Sequence, residues 1–83
     1  MDRKTIEDRV KEVMAGLFAM DPAAIGDETS LGTVEKWDSV NHLNLMMSLE
    51  QAFGVQIDMD DAVEMISFPA VCDTLARYVG EGS

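Results

Sequence analysis

Between residues 5 and 20 the apolar positions Ile6, Val10, Val13, Met14, Leu17 and Phe18 recur at helical spacing, which marks the dry face of a first helix. The Asp21-Pro22 pair predicts its end, because the residue before a proline disfavours helical geometry. A second helix is expected over 39–53, with Leu45, Met46, Leu49 and Phe53 on one side and Val40 and Met47 at the edge of that stripe. Gly54 is a good left-handed terminator for it. Val55-Gln56-Ile57 reads as a short extended link, and a brief third helix is expected over 60–65 with Asp58 as its cap. The last helix is expected over 68–79. Ser67 would cap it, Pro69 is tolerated in its first turn, and Val71, Cys72, Leu75 and Val79 form its buried stripe. Gly80 closes it, and residues 81–83 are expected to fray.

The connection over 21–37 is long for a compact protein, and such loops are usually functional or folded back on themselves. Ile25, Leu31, Val34 and Trp37 are spaced through it like anchors against a core. The pattern therefore predicts an all-α protein: a small four-helix bundle with a long loop between helices one and two and a short third helix. With 83 residues, the whole of 1–83 is expected to form one domain around one core. A chain of this size has little room for a deep substrate pocket, which argues against an enzyme.

Charge changes this picture more than composition does. The formal net charge is −10, and no Lys or Arg lies between Lys36 and Arg77, where Asp38, Glu50, Asp58, Asp60, Asp61, Glu64 and Asp73 all fall. Such a face repels nucleic acid and anionic membrane, and steers a basic partner toward itself. Cys72 is the only cysteine, so an intramolecular disulfide is excluded, and its place on a buried stripe predicts an inert thiol. No apolar run is long enough to span a bilayer and no signal peptide is expected, so the default is a monomeric cytoplasmic protein without membrane insertion.

The candidate chemistry sits where the second helix begins. Asp38 is a good N-cap residue, and Ser39 follows it in the first turn, at the positive end of the helix dipole, where an attached phosphate would be stabilised. Asp38, Ser39 and His42 contain the residue types of a hydrolytic triad, but one helical turn supplies neither the orienting geometry nor an oxyanion hole. Asp58, Asp60, Asp61 and Glu64 lack the spacing of a calcium loop, so no metal site is expected. Met47 and Met65 are the methionines best placed to meet a cargo or partner. Trp37 is expected to anchor the loop rather than flank the site.

The run Trp37-Asp38-Ser39-Val40, followed by Leu43, Leu45-Met46-Met47, Leu49-Glu50 and Phe53-Gly54-Val55, resembles the acyl carrier protein family. The resemblance extends through the flanking helices to about Val79. It implies that Ser39 receives a 4′-phosphopantetheine arm from coenzyme A, with Asp38 as its motif neighbour and Val40 in place of the usual leucine. It further implies a carrier with no catalytic activity of its own, holding an acyl group as a thioester in fatty acid, lipid or specialised acyl metabolism. The implied partners are a phosphopantetheinyl transferase, an acyl-loading ligase or transferase, and ketosynthase or acyltransferase-type enzymes. They would meet the second helix at Val40, Met47 and Glu50, with His42 on the surface near the arm.

One departure from the family pattern matters. Asn41, Asn44 and Gln51 stand where the family's fatty-acid carriers usually have acids, which suggests a specialised carrier with a dedicated loading enzyme. An aminoacyl or peptidyl carrier shares the same bundle and serine. An unmodified acidic helical adaptor for a basic partner is the alternative from another class.

Overall fold

A computed structural model describes residues 2–80; the expected fraying of 81–83 lies outside the described residues. Helix α1 spans Arg3–Phe18, α2 spans Ser39–Phe53, α3 spans Met59–Ala62 and α4 spans Phe68–Val79, with a 3₁₀ turn at Pro22–Ala24. No strand occurs among the described residues, and the all-α reading stands. Ile6, Val10, Met14 and Phe18 of α1 pack with Leu45, Met46 and Leu49 of α2 and with Phe68, Val71, Cys72 and Leu75 of α4. Val79 and Phe53 lie at the margin of this core, half-buried.

The ends of α2 and α4 follow local chemistry. Asp38 caps α2 by accepting from the Asn41 N–H, and Ser67 caps α4 by accepting from the Ala70 N–H. Gly54 and Gly80 both take left-handed φ, of 66° and 75°, where a side chain would be strained. Helix α1 differs from expectation at both ends. It begins two residues earlier because Asp2 accepts from the Thr5 N–H, and it ends earlier because Ala19 adopts the left-handed conformation at φ 55°. Asp21 then caps the 3₁₀ turn by accepting from the Ala23 N–H.

The long loop is held by more than apolar anchors. Ile25 and Trp37 are buried and Val34 packs beside them, but Leu31 is 40 % exposed and is not an anchor. The Leu31 N–H donates to the Ile66 carbonyl and the Phe68 N–H to the Thr29 carbonyl, both at 2.8 Å, forming an isolated antiparallel bridge between Ser30 and Ser67. The two extended segments before α2 and α4 are thus zipped together. Inside the loop, the buried Thr29 hydroxyl accepts from the Gly26 N–H at 2.9 Å.

Helix α3 is shorter than expected, and Asp58 gives it no side-chain cap. Its position comes from tertiary contacts. The Tyr78 hydroxyl of α4 donates to Asp61 at 2.6 Å and accepts from the Asp58 N–H at 3.0 Å, while Arg77 pairs with Asp61 at 3.3 Å. The Tyr78 hydrogen bond, aided by Arg77 and opposed by partial burial, holds the Asp61 carboxyl below the usual carboxylate range. Arg9 of α1 reaches the C-terminal end of α2, donating to the Ala52 carbonyl at 3.2 Å with its guanidinium over the Phe53 ring. Cys72 is buried as expected, and burial pushes its thiol up to about 12, too high for a thiolate near neutrality.

Candidate functional site

Ser39 occupies the first position of α2 with its side chain exposed, on backbone that is pinned from both sides. Two residues upstream, Trp37 is 1 % exposed and stacks on Phe18 with ring centroids 5.4 Å apart. Its N–H also closes a turn onto the Val34 carbonyl. One turn downstream, the Asn41 side-chain amide donates to the Lys36 carbonyl at 2.6 Å, and the His42 N–H donates to the Asp38 carbonyl at 2.8 Å. Asp38 is committed to capping, with Oδ1 2.9 Å from the Asn41 N. The backbone N–H groups of Ser39 and Val40 precede any intrahelical acceptor, so they and the helix dipole favour an anion at this end.

Among the described residues no side-chain hydrogen bond reaches the Ser39 hydroxyl, and His42 is engaged elsewhere. His42 was expected on the surface near Ser39, and it is instead a half-buried strut. Its Nδ1 accepts from the Trp37 indole N–H at 3.0 Å, and its Nε2 lies 2.8 Å from the Ala62 carbonyl at the end of α3. Both ring nitrogens are engaged, and neither faces the serine as a base. The arrangement can present a fixed hydroxyl to an external enzyme, with space around it for a linear anionic group.

Beside Ser39 runs an open groove of about 500 Å³ between α2 and α3, lined chiefly by Val40, Leu43, Met46, Met47, Ile57 and Met59. Val40 is 69 % and Met47 56 % exposed, in line with the sequence reading, but Met65 is fully buried in the core and cannot meet a partner. Leu43, Met59, Val63 and Ile66 extend the exposed apolar surface, with Met59 81 % exposed. Sequence reasoning passed over all four as contacts. Leu43 had a readable signal, since Val40, Leu43 and Met47 recur at helical spacing on a second face of α2. Glu50, expected as a partner contact, is half-buried at the groove's far end, where Oε2 accepts from the Ile57 N–H at 2.8 Å. Its charge is partly spent on holding the link to α3.

Most of the acidic charge in this region lies at the α3 rim, and α2 itself carries Glu50 alone. Asp58, Asp60 and Glu64 are exposed there, and the next base after Lys36 is Arg77, which is bound to Asp61. Mutual repulsion among these acids should make stability depend on salt. Raising ionic strength from about 0.01 to 0.15 M shortens the screening length from about 30 to 8 Å. The melting temperature should rise over that range, as read by circular dichroism; a flat or falling midpoint would show that repulsion is not significant. Among the described residues no group of three or more His, Cys, Asp or Glu side chains is arranged to hold a metal ion.

The geometry agrees with comparisons to known proteins. The family profile described as a phosphopantetheine attachment site matches residues 8–75, which takes in the end of the loop, Ser39 and the groove. The acyl carrier protein of Thermosynechococcus vestitus is 30% identical over 79 residues, covering 95% of this chain and 98% of that protein. The acyl carrier protein of Rubrobacter xylanophilus is 27% identical over 78 residues, covering 94% of this chain and 96% of its own. With the match spanning all four helices, the chain belongs to the acyl carrier protein family, whose members bear a phosphopantetheine attachment site.

Proposed function

We propose that this chain is a non-catalytic carrier whose single domain, residues 1–83, takes a 4′-phosphopantetheine arm on Ser39 and presents an acyl cargo to cytoplasmic enzymes. The arm, when bound, supplies the thiol on which the acyl group is held as a thioester. The chain's own residues do the rest. Trp37 and Asn41 hold the Ser39 backbone, and the first-turn N–H groups of α2 would stabilise the arm's phosphate. The apolar walls of the α2–α3 groove offer the cargo or the partner a dry surface. The observation that carries this reading is an exposed serine on a pinned helix start, bordered by that groove, within the matched attachment profile.

The partners on this reading are a phosphopantetheinyl transferase, an acyl-loading ligase or transferase, and ketosynthase or acyltransferase-type enzymes. An aminoacyl or peptidyl cargo would use the same serine. An unmodified adaptor would also use the apolar face, but it leaves the pinned, exposed Ser39 without a role. Incubation with coenzyme A and a broad-specificity phosphopantetheinyl transferase should add the mass of one phosphopantetheine. A loading ligase supplied with ATP and a carboxylic acid should then acylate the new thiol, releasing AMP and pyrophosphate and leaving a thioester that hydroxylamine cleaves. A chain that keeps its original mass, while a control carrier is modified alongside it, would support the adaptor instead.

Partner choice should follow the largely apolar surface of α2, where Glu50 is the one acid. Met47→Glu places a charge in the middle of the exposed stripe and should slow arm transfer or loading by about tenfold, the effect of losing one well-packed contact. Adding acids should do the opposite with a basic housekeeping ketosynthase, since exposed ion pairs contribute about 0–1 kcal/mol each. Asn44→Glu with Gln51→Glu is the proper variant. Asn41 is excluded, because Asn41→Asp would lose the amide that donates to the Lys36 carbonyl. Glu50→Lys should impair partner binding too, but it also frees the Ile57 N–H and so needs a stability control. If Met47→Glu is loaded as fast as wild type by every enzyme tested, α2 is not the docking face.

A further inference from the structure

Trp37 and His42 are the only tryptophan and the only histidine of the chain, and they are bonded to each other. An indole N–H can only donate and a backbone carbonyl can only accept. The Trp37 N–H on Nδ1 and the Ala62 carbonyl on Nε2 therefore select one form of the imidazole, neutral and protonated on Nε2. The two rings are near-coplanar across this bond, at 21° with centroids 6.2 Å apart, and Trp37 stacks in turn on Phe18 of α1. One side chain thus joins the end of the loop, the first turn of α2 and the last residue of α3.

We propose that His42 is a positioning residue that sets both the Ser39 helix start and the α3 wall of the groove, and that its protonation unlatches the first of these. The proposal deepens the carrier reading of Ser39 and rests on it for the consequence, though not for the latch itself. Protonation puts a hydrogen on Nδ1. Two N–H donors would then face each other across the 3.0 Å now spanned by a hydrogen bond, and the indole must turn away. The Nε2–H keeps its bond to the Ala62 carbonyl, so α3 stays tied while Trp37, two residues before Ser39, loses its polar tether. Ionisable side chains on the surrounding elements are Asp21, Asp27, Glu28, Glu35 and Lys36 in the loop, Asp38 at the cap of α2 with Glu50 further along that helix, and Asp58, Asp60, Asp61 and Glu64 around α3. Arg77 and Tyr78 of α4 engage Asp61, and the last turn of α1, which carries Phe18, holds no charge.

The test compares wild type, His42→Gln and His42→Phe from about pH 8 to pH 5, the span in which imidazole usually changes charge. A glutamine can accept from the indole and donate to the carbonyl without titrating; phenylalanine can do neither. The indole N–H resonance and its exchange rate read the latch directly, because there is one tryptophan. In wild type the resonance should move upfield and exchange about tenfold faster as the imidazole C–H resonances report protonation. His42→Gln should hold its resonance across the range, and His42→Phe should show the open value throughout. At one fixed pH near 8, His42→Phe should take the arm about tenfold more slowly than wild type, with His42→Gln near wild type. A wild-type indole signal that ignores imidazole protonation, or that matches His42→Phe at pH 8, overturns the latch. If His42→Phe does not fold, the contrast between wild type and His42→Gln across pH still decides. Failure of every variant to take an arm would overturn the Ser39 reading instead, with the indole readings unaffected.

Discussion

Trp37→Ala should lower stability by about 3–5 kcal/mol, the usual cost of truncating a fully buried aromatic residue. For a domain of this size that is a large part of a total near 5–15 kcal/mol. The melting temperature should fall by at least about 12 °C. The magnitude follows from what the ring does. It is 1 % exposed, stacks on Phe18, and is the only loop residue that also ties to α2 through His42. Removing it leaves a hole among α1, the loop and α2, and leaves the His42 Nδ1 without its donor. Thermal unfolding followed by circular dichroism gives the answer; a loss under about 1 kcal/mol would mean that the loop is held by the Ser30–Ser67 bridge and Ile25 alone.

Ser39→Ala should have the opposite profile, with no structural cost and complete loss of the arm. The side chain is exposed at the first helical position, and alanine is the best helix former, so stability should change by less than about 0.5 kcal/mol. Asp38 would still cap the Asn41 N–H, so the helix start is kept. Under conditions that modify wild type fully, the variant should gain no phosphopantetheine. Together the two substitutions separate what holds the site from what the site does.

The elements that were legible in the sequence are those whose ends are local. Asp38 with Gly54, and Ser67 with Gly80, pair a side-chain cap with a left-handed glycine, and α2 and α4 fall where these residues place them. Helix α1 was displaced because Ala19 makes the left-handed turn with no glycine to signal it, and because Asp2 captures the Thr5 N–H. Helix α3 has no cap bond, and Tyr78, Arg77 and His42 hold it from other helices, which no local pattern announces. The same holds for Leu31, turned out to solvent by a backbone bridge to Ile66. At the site, Ser39 and its cap could be read because they are neighbours in the chain. His42 was misplaced because its partners, Trp37 and Ala62, meet it only through the fold. Met65 was misplaced for a related reason: it lies beyond the end of α3, where the chain turns into the core, while Leu43 of α2 faces the groove.

Ser39, and no other hydroxyl, is expected to carry the arm. The most direct measurement is fragmentation mass spectrometry of the wild-type chain after incubation with coenzyme A and a phosphopantetheinyl transferase. One phosphopantetheine per chain is expected, with every fragment that contains Ser39 bearing the added mass and no other fragment bearing it. An arm on Ser30, Ser48 or Ser67, or a chain left unmodified beside a modified control, would contradict it.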